Sequence, residues 1–227
     1  MFKLKEKVIF IADSHYNGTR DILLKLLYEL DDNKIIVDQL FLMGDIFDFL
    51  SYEISYFKIK NKLVIDLINK ISKKIEIIYF EGNHDFNLKK LFPYCLVIPR
   101  SKQPILIIYK NKHIKLSHGD IYTPFLYDIY TFIIRNTMVL KLLNSIDIKF
   151  WLTKMIEIKL SKKQICKKNQ IFKAVIEQRI KQYNCDLIIE GHFHQNILND
   201  NYINIPSLFC DKEYLYLYNG KFSTKLI

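Results

Sequence analysis

The fold of this 227-residue chain is decided by a stretch near its N-terminus that reads Val8-Ile9-Phe10-Ile11-Ala12-Asp13-Ser14-His15. Five consecutive apolar residues, rich in β-branched and aromatic side chains, are typical of a strand buried on both faces. Asp13 and His15 follow at once, so we expect them at the end of that strand or in the loop beyond it. The same order, an apolar run and then a polar motif, recurs four times along the chain.

The later apolar runs predict four further buried strands, at residues 40–43, 75–80, 114–117 and 187–190. The motifs that accompany them are Gly44-Asp45-Ile46-Phe47-Asp48, Gly82-Asn83-His84-Asp85, His118-Gly119-Asp120 and Gly191-His192-Phe193-His194. Helical periodicity lies between the strands, at residues 19–31, 52–72 and 169–183, and residues 202–205 and 214–218 predict closing strands. This alternation predicts an α/β fold with its polar residues at one edge of the sheets.

Composition limits the class of protein. Half of the residues are apolar, which is enough for a sizeable core, and we expect one domain over residues 1–227. No apolar segment is long enough for a membrane span, and the N-terminus lacks the pattern of a signal peptide. The four cysteines, Cys95, Cys166, Cys185 and Cys210, form no Cys-x-x-Cys pair, which favours reduced thiols in a cytoplasmic protein.

The chain carries a formal net charge of +10. That excess suits a partner that bears phosphates, such as an anionic lipid surface or a phosphorylated substrate. Lysine is abundant throughout the sequence, however, and solubility alone also accounts for such a charge. The location of the lysines therefore decides between the two interpretations.

Residues 121–184 depart from the strand–motif rhythm and predict a helical insertion, or cap, beside the polar edge. Pro124 suits the first turn of a helix whose apolar run continues to Ile146. Residues 148–155 predict another helix, followed by a run of lysines from Lys159 to Lys168. One hypothesis is a groove for acyl chains, lined by Phe125, Ile129, Phe132, Ile133, Trp151, Leu152 and Met155. In the other, the helices only pack on the sheet and the lysines form a solvated face.

The motif residues together match the needs of two adjacent divalent cations. Such a pair requires several oxygen and nitrogen donors, including a bridging carboxylate, with positions left open for substrate. The candidate donors are Asp13, His15, Asp45, Asn83, His118, His192 and His194. We expect the missing side chain of Gly44 to leave room for a metal near the backbone.

In its order of motifs, D-x-H, GD-x-x-D, GNHD, a later His-Gly and GH-x-H, the chain resembles the calcineurin-like metallophosphoesterases from Val8 to His194. The resemblance implies a β-sandwich flanked by helices. It also implies one ion held by Asp13, His15, Asp45 and His194, and a second held by Asp45, Asn83, His118 and His192. Mixed carboxylate and imidazole donors favour Mn²⁺, while Fe, Zn²⁺, Ni²⁺ and Mg²⁺ stay open.

His84 follows a predicted ligand, and the resemblance implies that it acts on the phosphoryl group or on the leaving oxygen. We expect Asp85 to hold its other ring nitrogen and fix the tautomer. Asp48 and Asp120 are candidates to orient metal ligands, or else to satisfy backbone donors in their loops. His113, outside every motif, is expected to be an ordinary side chain.

Within that superfamily the chain looks like the UDP-2,3-diacylglucosamine pyrophosphatases of lipid A biosynthesis. The length, the position of the insertion and the Gly82-Asn83-His84-Asp85-Phe86 motif carry this likeness. It implies release of UMP and 2,3-diacylglucosamine 1-phosphate at the cytoplasmic face of the inner membrane, with Ser161 and Lys168 as further substrate contacts beside Trp151 and Phe132. The chain departs from that pattern at His84, where Arg is usual, and at Phe193, where Thr is frequent.

Two other functions remain open at this point. The first is a phosphodiesterase or phosphatase that acts on a soluble nucleotide or another phosphoester. Nucleic acid is not an expected partner, because nucleases of this superfamily usually carry an additional DNA-binding domain. The second is a metal-free binding scaffold, although every predicted metal donor is present in this sequence.

Overall fold

A computed structural model describes residues 3–227, so that residues 1 and 2 of the predicted domain lie outside the described part. The strands are β1 (Lys7–Ile11), β2 (Gln39–Leu42), β3 (Leu50–Ser51), β4 (Glu76–Phe80), β5 (Asp85–Phe86), β6 (Leu96–Ile98), β7 (Ile105–Tyr109), β8 (Lys112–Ser117), β9 (Leu187–Glu190), β10 (Ile197–Leu198), β11 (Tyr202–Asn204), β12 (Glu213–Tyr218) and β13 (Lys221–Leu226). The helices are α1 (Ile22–Asp31), α2 (Ser55–Lys60), α3 (Lys62–Ile71), α4 (Phe125–Ile134), α5 (Thr137–Ile146), α6 (Trp151–Ser161), α7 (Phe172–Tyr183) and α8 (Leu208–Asp211).

Two sheets form the centre of the molecule. One has the strand order β13-β12-β1-β2-β4-β6 and the other β10-β11-β9-β8-β7. Strands β1, β2 and β4 run parallel to one another, as do β8 and β9. The five strands predicted to precede or contain the motifs are therefore confirmed, and parallel pairing brings their carboxyl ends together within each sheet.

Alternation along β1 shows how the layers pack. Val8 and Phe10 join a buried cluster that includes residues of both sheets, among them Leu116 and Ile189. Ile9 and Ile11 point the other way, into a second cluster with helices α1 and α3. A third, smaller cluster places α7 on the outer face of the second sheet. The predicted α/β sandwich flanked by helices is confirmed.

Two helices that the sequence predicts as continuous are broken, each at an asparagine. Asn61 separates α2 from α3, and its side-chain amide donates to the carbonyl of Phe49. Asn136 separates α4 from α5, because its side chain accepts the backbone N–H groups of Met138 and Val139 and so begins a new helix. Apolar periodicity continues across both breaks, which is why it did not reveal them.

We call α4, α5 and α6 the cap helices. They lie within the predicted insertion at 121–184, whereas α7, at the end of the same stretch, packs on the second sheet. Within residues 3–227, every helix is too short or too polar to cross a membrane.

Candidate metal centre

The polar motifs meet at the carboxyl ends of the central strands. The loops after β1 and β2 are joined directly, because the N–H of Asp13 donates to the carbonyl of Gly44 and the N–H of His15 to that of Asp45. The N–H of Gly191 donates to the carbonyl of His118, which joins the loops after β8 and β9. Three groups of donors, each with its atoms within 4.8 Å of one another, result: Asp13/His15/His194, His15/Asp45/His84 and Asp45/His118/His192.

The backbone is strained where these donors lie. Five of the predicted ligands adopt a positive φ that non-glycine residues rarely take: Asp13 (52°), His15 (45°), Asp45 (51°), His192 (68°) and His194 (54°). Each such residue costs on the order of 1–3 kcal/mol, and strain of this kind concentrates at functional sites. The surrounding structure thus keeps these side chains turned toward a common centre.

Two glycines permit the close approach of the loops. A Cβ on Gly44 would lie 2.4 Å from Nδ1 of His118, and a Cβ on Gly82 would lie 2.3 Å from Oδ1 of Asp45. We expected the space beside Gly44 to admit a metal ion, and this is wrong, because the ring of His118 occupies that space. Both glycines make room for a predicted metal ligand that comes from another loop.

The first group centres on Asp13. Its Oδ1 lies 3.4 Å from Nε2 of His194, and that nitrogen lies 3.4 Å from Nε2 of His15. Asp13 is fully buried, and its Oδ1 accepts no hydrogen bond from any described residue between 3 and 227. A buried carboxylate oxygen without a donor, facing two imidazoles, fits a bound cation.

The second group centres on His118. Its Nδ1 lies 2.8 Å from the carbonyl of Met43, which assigns the ring proton to Nδ1 and leaves the lone pair on Nε2. Nε2 then lies 3.2 Å from Oδ1 of Asn83 and 3.5 Å from Oδ1 of Asp45. Asp45 belongs to this group and also to the group His15/Asp45/His84, so it lies between His118 and His15, as a bridging ligand requires.

Electrostatics within the cluster also suit cations. Burial raises the pKa of Asp45, but the imidazoles of His118, His84, His15 and His192 outweigh it and hold that pKa well below its usual value. Burial lowers the pKa of His118, yet Asp45, Asp120 and Asp13 raise it to about 9. Burial and the neighbouring His118 lower the pKa of His192 to about 4. The centre therefore attracts positive charge, which divalent ions would supply in place of protons.

The predicted contact between Asp85 and His84 is wrong. Nδ1 of His84 lies 2.6 Å from the backbone carbonyl of Asp48, which fixes the tautomer and leaves Nε2 unprotonated in the neutral ring. Asp85 instead accepts the N–H groups of Asp45, Ile46 and Gly82 and the hydroxyl of Tyr79. It is acceptor-only and fully occupied, so it holds the loops of two predicted ligands together.

Asp48 and Asp120 differ in what they contact. Oδ1 of Asp48 lies 3.5 Å from Nδ1 of His15 and accepts from Arg20, so Asp48 faces a predicted ligand. Asp120 pairs instead with Arg100 and Arg135. Arg135 also donates to the carbonyl of Gly82, next to Asn83. Through Arg135, at the end of cap helix α4, Asp120 is thus connected to the loop that carries the predicted ligand Asn83.

An apolar cavity of about 720 Å³ lies between the cap helices and the sandwich and reaches the metal centre. Its polar lining residues include Asn83, His84 and His192, together with Lys159 and Lys163. The apolar lining comes from Phe49, Ile54, Phe57, Tyr127, Tyr130, Ile133, Ile134, Val139, Leu140, Leu143, Leu152, Ile156 and Leu160. A cavity of this size and polarity is typical of a ligand site.

The four predicted substrate contacts do not line this cavity. On α6 the inner face carries Leu152, Ile156 and Leu160, so Trp151, about 100° away on the helix, points outward and is 67% exposed. Phe132 is likewise 74% exposed. Of the residues proposed to form an acyl groove, Ile133 and Leu152 are the two that line it.

Ser161 and Lys168 have other partners. The hydroxyl of Ser161 donates to the carbonyl of Ile158 in its own helix. Nζ of Lys168 donates to the carbonyl of His194 and to Oδ1 of Asp211, at 2.6 and 2.8 Å. Lys168 therefore supports the loop of a predicted ligand rather than the cavity wall.

The predicted set of four reduced cysteines is wrong for two of them. Cys166 and Cys210 form a disulfide, while Cys95 and Cys185 are free. The pair is 44 residues apart in sequence and is brought together because the segment after α6 lies against α8. Spacing could not reveal this pair, since only the fold makes the two residues neighbours.

The chain is similar to several known proteins. The family model described as calcineurin-like phosphoesterase matches residues 6–196. UDP-2,3-diacylglucosamine hydrolase of Aeromonas salmonicida is 24% identical over 202 residues, which cover 85% of this chain and 79% of that protein. The enzyme of the same name from Coxiella burnetii is 24% identical over 210 residues, covering 86% and 84%. Protein AQ665 of Aquifex aeolicus, of unknown function, aligns over 97% of this chain and 96% of its own at 18% identity and a TM-score of 0.47.

Proposed function

The chain belongs to the calcineurin-like phosphoesterase family and is a metal-dependent phosphoester hydrolase, and we propose that it cleaves the diphosphate of UDP-2,3-diacylglucosamine. The products would be UMP and 2,3-diacylglucosamine 1-phosphate, as in lipid A biosynthesis. Two relatives that carry the name UDP-2,3-diacylglucosamine hydrolase cover most of the chain.

One observation carries the proposal: the cavity under the cap has a mostly apolar lining and also includes Asn83, His84 and His192 of the metal motifs. A diacylated sugar nucleotide has the same division, since its acyl chains are apolar and its diphosphate is anionic. Lys159 and Lys163 line the cavity together with His84 and offer positive charge to a diphosphate. A soluble nucleotide would leave the apolar part of the cavity without a ligand.

The proposed metal ligands fall into two sets that share Asp45. Asp13, His15 and His194 would hold one ion, and Asn83, His118 and His192 the other, with Mn²⁺ as the metal that best suits the mixed donors. Two such ions neutralise phosphate oxygens and lower the pKa of water. Asp85 keeps the loops of Asp45 and Asn83 in contact, and Asp48 faces the outer nitrogen of His15.

His84 is the proposed catalytic residue that is not assigned to a metal. Its backbone N–H donates to Oδ1 of Asp45 at 2.8 Å, and its side chain lines the cavity. With Nδ1 bonded to the carbonyl of Asp48, Nε2 is the atom that would carry a proton to the leaving oxygen or contact the phosphoryl group. Phe193, the other departure from the resembling enzymes, packs against Phe172 and Arg179, and its ring lies edge-on to that of His192.

The second part of the proposal is that the protein binds peripherally to the cytoplasmic face of an anionic inner membrane. The outer surface of the cap is the argument for it. Phe125, Phe132, Ile148 and Trp151 are all mostly exposed there. Lysines interleave with them along the sequence, and anionic headgroups would attract that charge. A substrate with two acyl chains would be taken up from such a surface.

The test compares substrates on one preparation. The purified chain is incubated with Mn²⁺ and UDP-2,3-diacylglucosamine, and released UMP is measured beside hydrolysis of a chromogenic phosphodiester and of cyclic nucleotides. We expect Mn²⁺-dependent release of UMP at the highest kcat/KM of the series. Rapid turnover of the soluble esters with no release of UMP would establish the alternative, a phosphoesterase for soluble nucleotides.

A paired substitution in α6 tests whether the cavity holds the acyl chains. Ile156 lines the cavity, so Ile156→Trp should fill part of it and lower kcat/KM for the diacylated substrate by about tenfold or more. Ile158 lies on the outer face at 53% exposure, and Ile158→Trp is the matched control with little expected effect. Neither variant should change hydrolysis of the chromogenic diester. Equal losses on both substrates would contradict an acyl-binding role for the cavity.

A further inference from the structure

Arg179 of α7, the helix that packs on the second sheet, is nearly fully buried and contacts the loop after His118 and the end of the strand before His192. We propose that Arg179, paired with Glu190, is a positioning residue that sets the separation of His118 and His192 and thereby the affinity of the ion they share. This inference rests on the proposed metal centre and not on the identity of the substrate.

The guanidinium reaches both loops at once. Nη1 donates to the carbonyl of Ile121 at 2.6 Å and Nη2 to that of Gly119 at 3.0 Å, in the loop that begins at His118. Nε donates to Oε1 of Glu190 at 3.0 Å, and Glu190 ends β9 two residues before His192. A rigid planar group thus spans the two segments from which these imidazoles project.

Glu190 has no freedom to move within this arrangement. Its side chain is fully buried, and its carboxylate also accepts the hydroxyls of Tyr202 at 2.8 Å and Tyr183 at 2.7 Å. The rings of Tyr183 and Phe193 lie 5.0 and 5.5 Å from the centre of the Arg179 guanidinium. Packing and hydrogen bonds therefore hold both partners in one geometry.

Stability alone does not explain an ion pair at this position. The desolvation of two buried charges often exceeds their attraction, and apolar residues of similar volume are then at least as stable. An apolar pair cannot replace the directed hydrogen bonds of Arg179, which donates to the carbonyls of Gly119 and Ile121 and to the carboxylate of Glu190. Partners behind metal ligands of this kind typically contribute 10- to 100-fold to metal affinity.

The contacts of Arg179 predict a larger effect on one ion than on the other. They reach the loops of His118 and His192, whereas Asp13 and His15 follow β1 in the other sheet. His194 is close in sequence to His192, but its carbonyl is held separately by Lys168. One bond joins the two sites here, since the N–H of His192 donates to Oδ2 of Asp13 at 2.8 Å. Loss of Arg179 should therefore weaken the site of His118 and His192 more than the site of Asp13 and His15.

The experiment measures Mn²⁺ binding to the full chain and its Arg179→Met variant by isothermal titration and by counting bound ions. We expect two ions on the unaltered chain, and on the variant about tenfold weaker binding of one ion with a smaller loss for the other. The kcat of the variant should recover as Mn²⁺ is raised. Equal affinities in the variant and the unaltered chain would overturn the proposal.

A double variant separates positioning from charge balance. Arg179→Met with Glu190→Gln leaves no unpaired buried charge, so it should fold even where the single variant does not. If Arg179 only neutralises Glu190, the double variant will bind both ions normally, and the proposal is wrong. We expect the weaker site to persist in it, and Arg179→Lys, which keeps the charge without the planar fork, to recover only part of the affinity.

The positioning role of Arg179 and the identity of the substrate can fail separately. An unaltered chain that binds fewer than two ions would overturn the positioning role together with the metal centre. Two ions with the expected loss in Arg179→Met, but no release of UMP from the diacylated substrate, would support the positioning role and overturn the substrate alone.

Discussion

Replacing Asp45 with asparagine should lower turnover by at least about a thousandfold, because both proposed ions lose their shared carboxylate. Metal ions contribute several kcal/mol to stabilising the charge of a phosphoryl transition state, and each 1.36 kcal/mol is a factor of ten in rate. Asparagine is the suitable replacement, since it tolerates the positive φ of residue 45 and its amide oxygen can still accept the N–H of His84. The measurement is kcat with saturating substrate, together with the number of ions bound per chain.

The control for Asp45→Asn is Asp66→Asn. Asp66 lies on the surface of α3 in an exposed pair with Lys62, so its loss should change neither turnover nor metal content. Asp45→Asn should also keep the unfolding midpoint of the metal-free chain close to that of the unaltered protein. Two tightly bound ions and near-normal turnover in Asp45→Asn would show that this carboxylate does not bridge.

The sequence was most informative where local pattern and chemistry coincide. Residues 8–12 are apolar on both faces because β1 lies between β12 and β2 with packing on either side. A strand buried on both faces is recognisable as a continuous apolar run, and a polar motif that follows it must lie at the edge of the sheet. For this reason the sequence alone predicts that Asp13, Asp45 and His118 lie near one another.

The inward faces of the cap helices and the breaks between them were harder to predict from the sequence. The cap is apolar inside, where it lines the cavity, and apolar outside, so periodicity did not distinguish Ile156 from Trp151 or Ile133 from Phe132. A weak signal was present at Asn136, a good N-cap residue in the middle of an apolar run. Arginine or lysine within a helix is usually solvent-exposed, so nothing in the sequence marked Arg179 as buried.

Contacts between distant segments were beyond the reach of spacing. The disulfide between Cys166 and Cys210 and the ion pair of Arg179 with Glu190 each join residues whose neighbours in sequence give no hint of a partner. The same holds for the carbonyl of Asp48 that fixes His84, since a backbone acceptor leaves no trace in residue type. Sequence reasoning named a carboxylate for that role because only side chains are visible to it.

Replacing His84 with alanine should slow turnover by about a hundredfold while both ions stay bound. A positioned acid or charge stabiliser contributes typically 10²- to 10⁴-fold, and removal of the ring leaves the donors of the two proposed ions in place. The measurement pairs kcat with metal content on the same sample. A leaving group of low pKa, as in the chromogenic diester, needs little protonation, so the loss there should be smaller if His84 acts as an acid.

The position of His84 also defines the result that would contradict this role. Its ring lies 5.0 Å from that of His15, and a nitrogen of His84 lies within 4.8 Å of donor atoms of both His15 and Asp45. If His84→Ala loses an ion, then His84 is a ligand, and the cavity presents no titratable imidazole to the leaving group. His113→Ala is the matched control: that histidine is exposed on β8 beside Asp186, so neither turnover nor metal content should change. Retained ions with slowed turnover in His84→Ala alone would separate the residue that acts on the phosphoester from the residues that hold the metals.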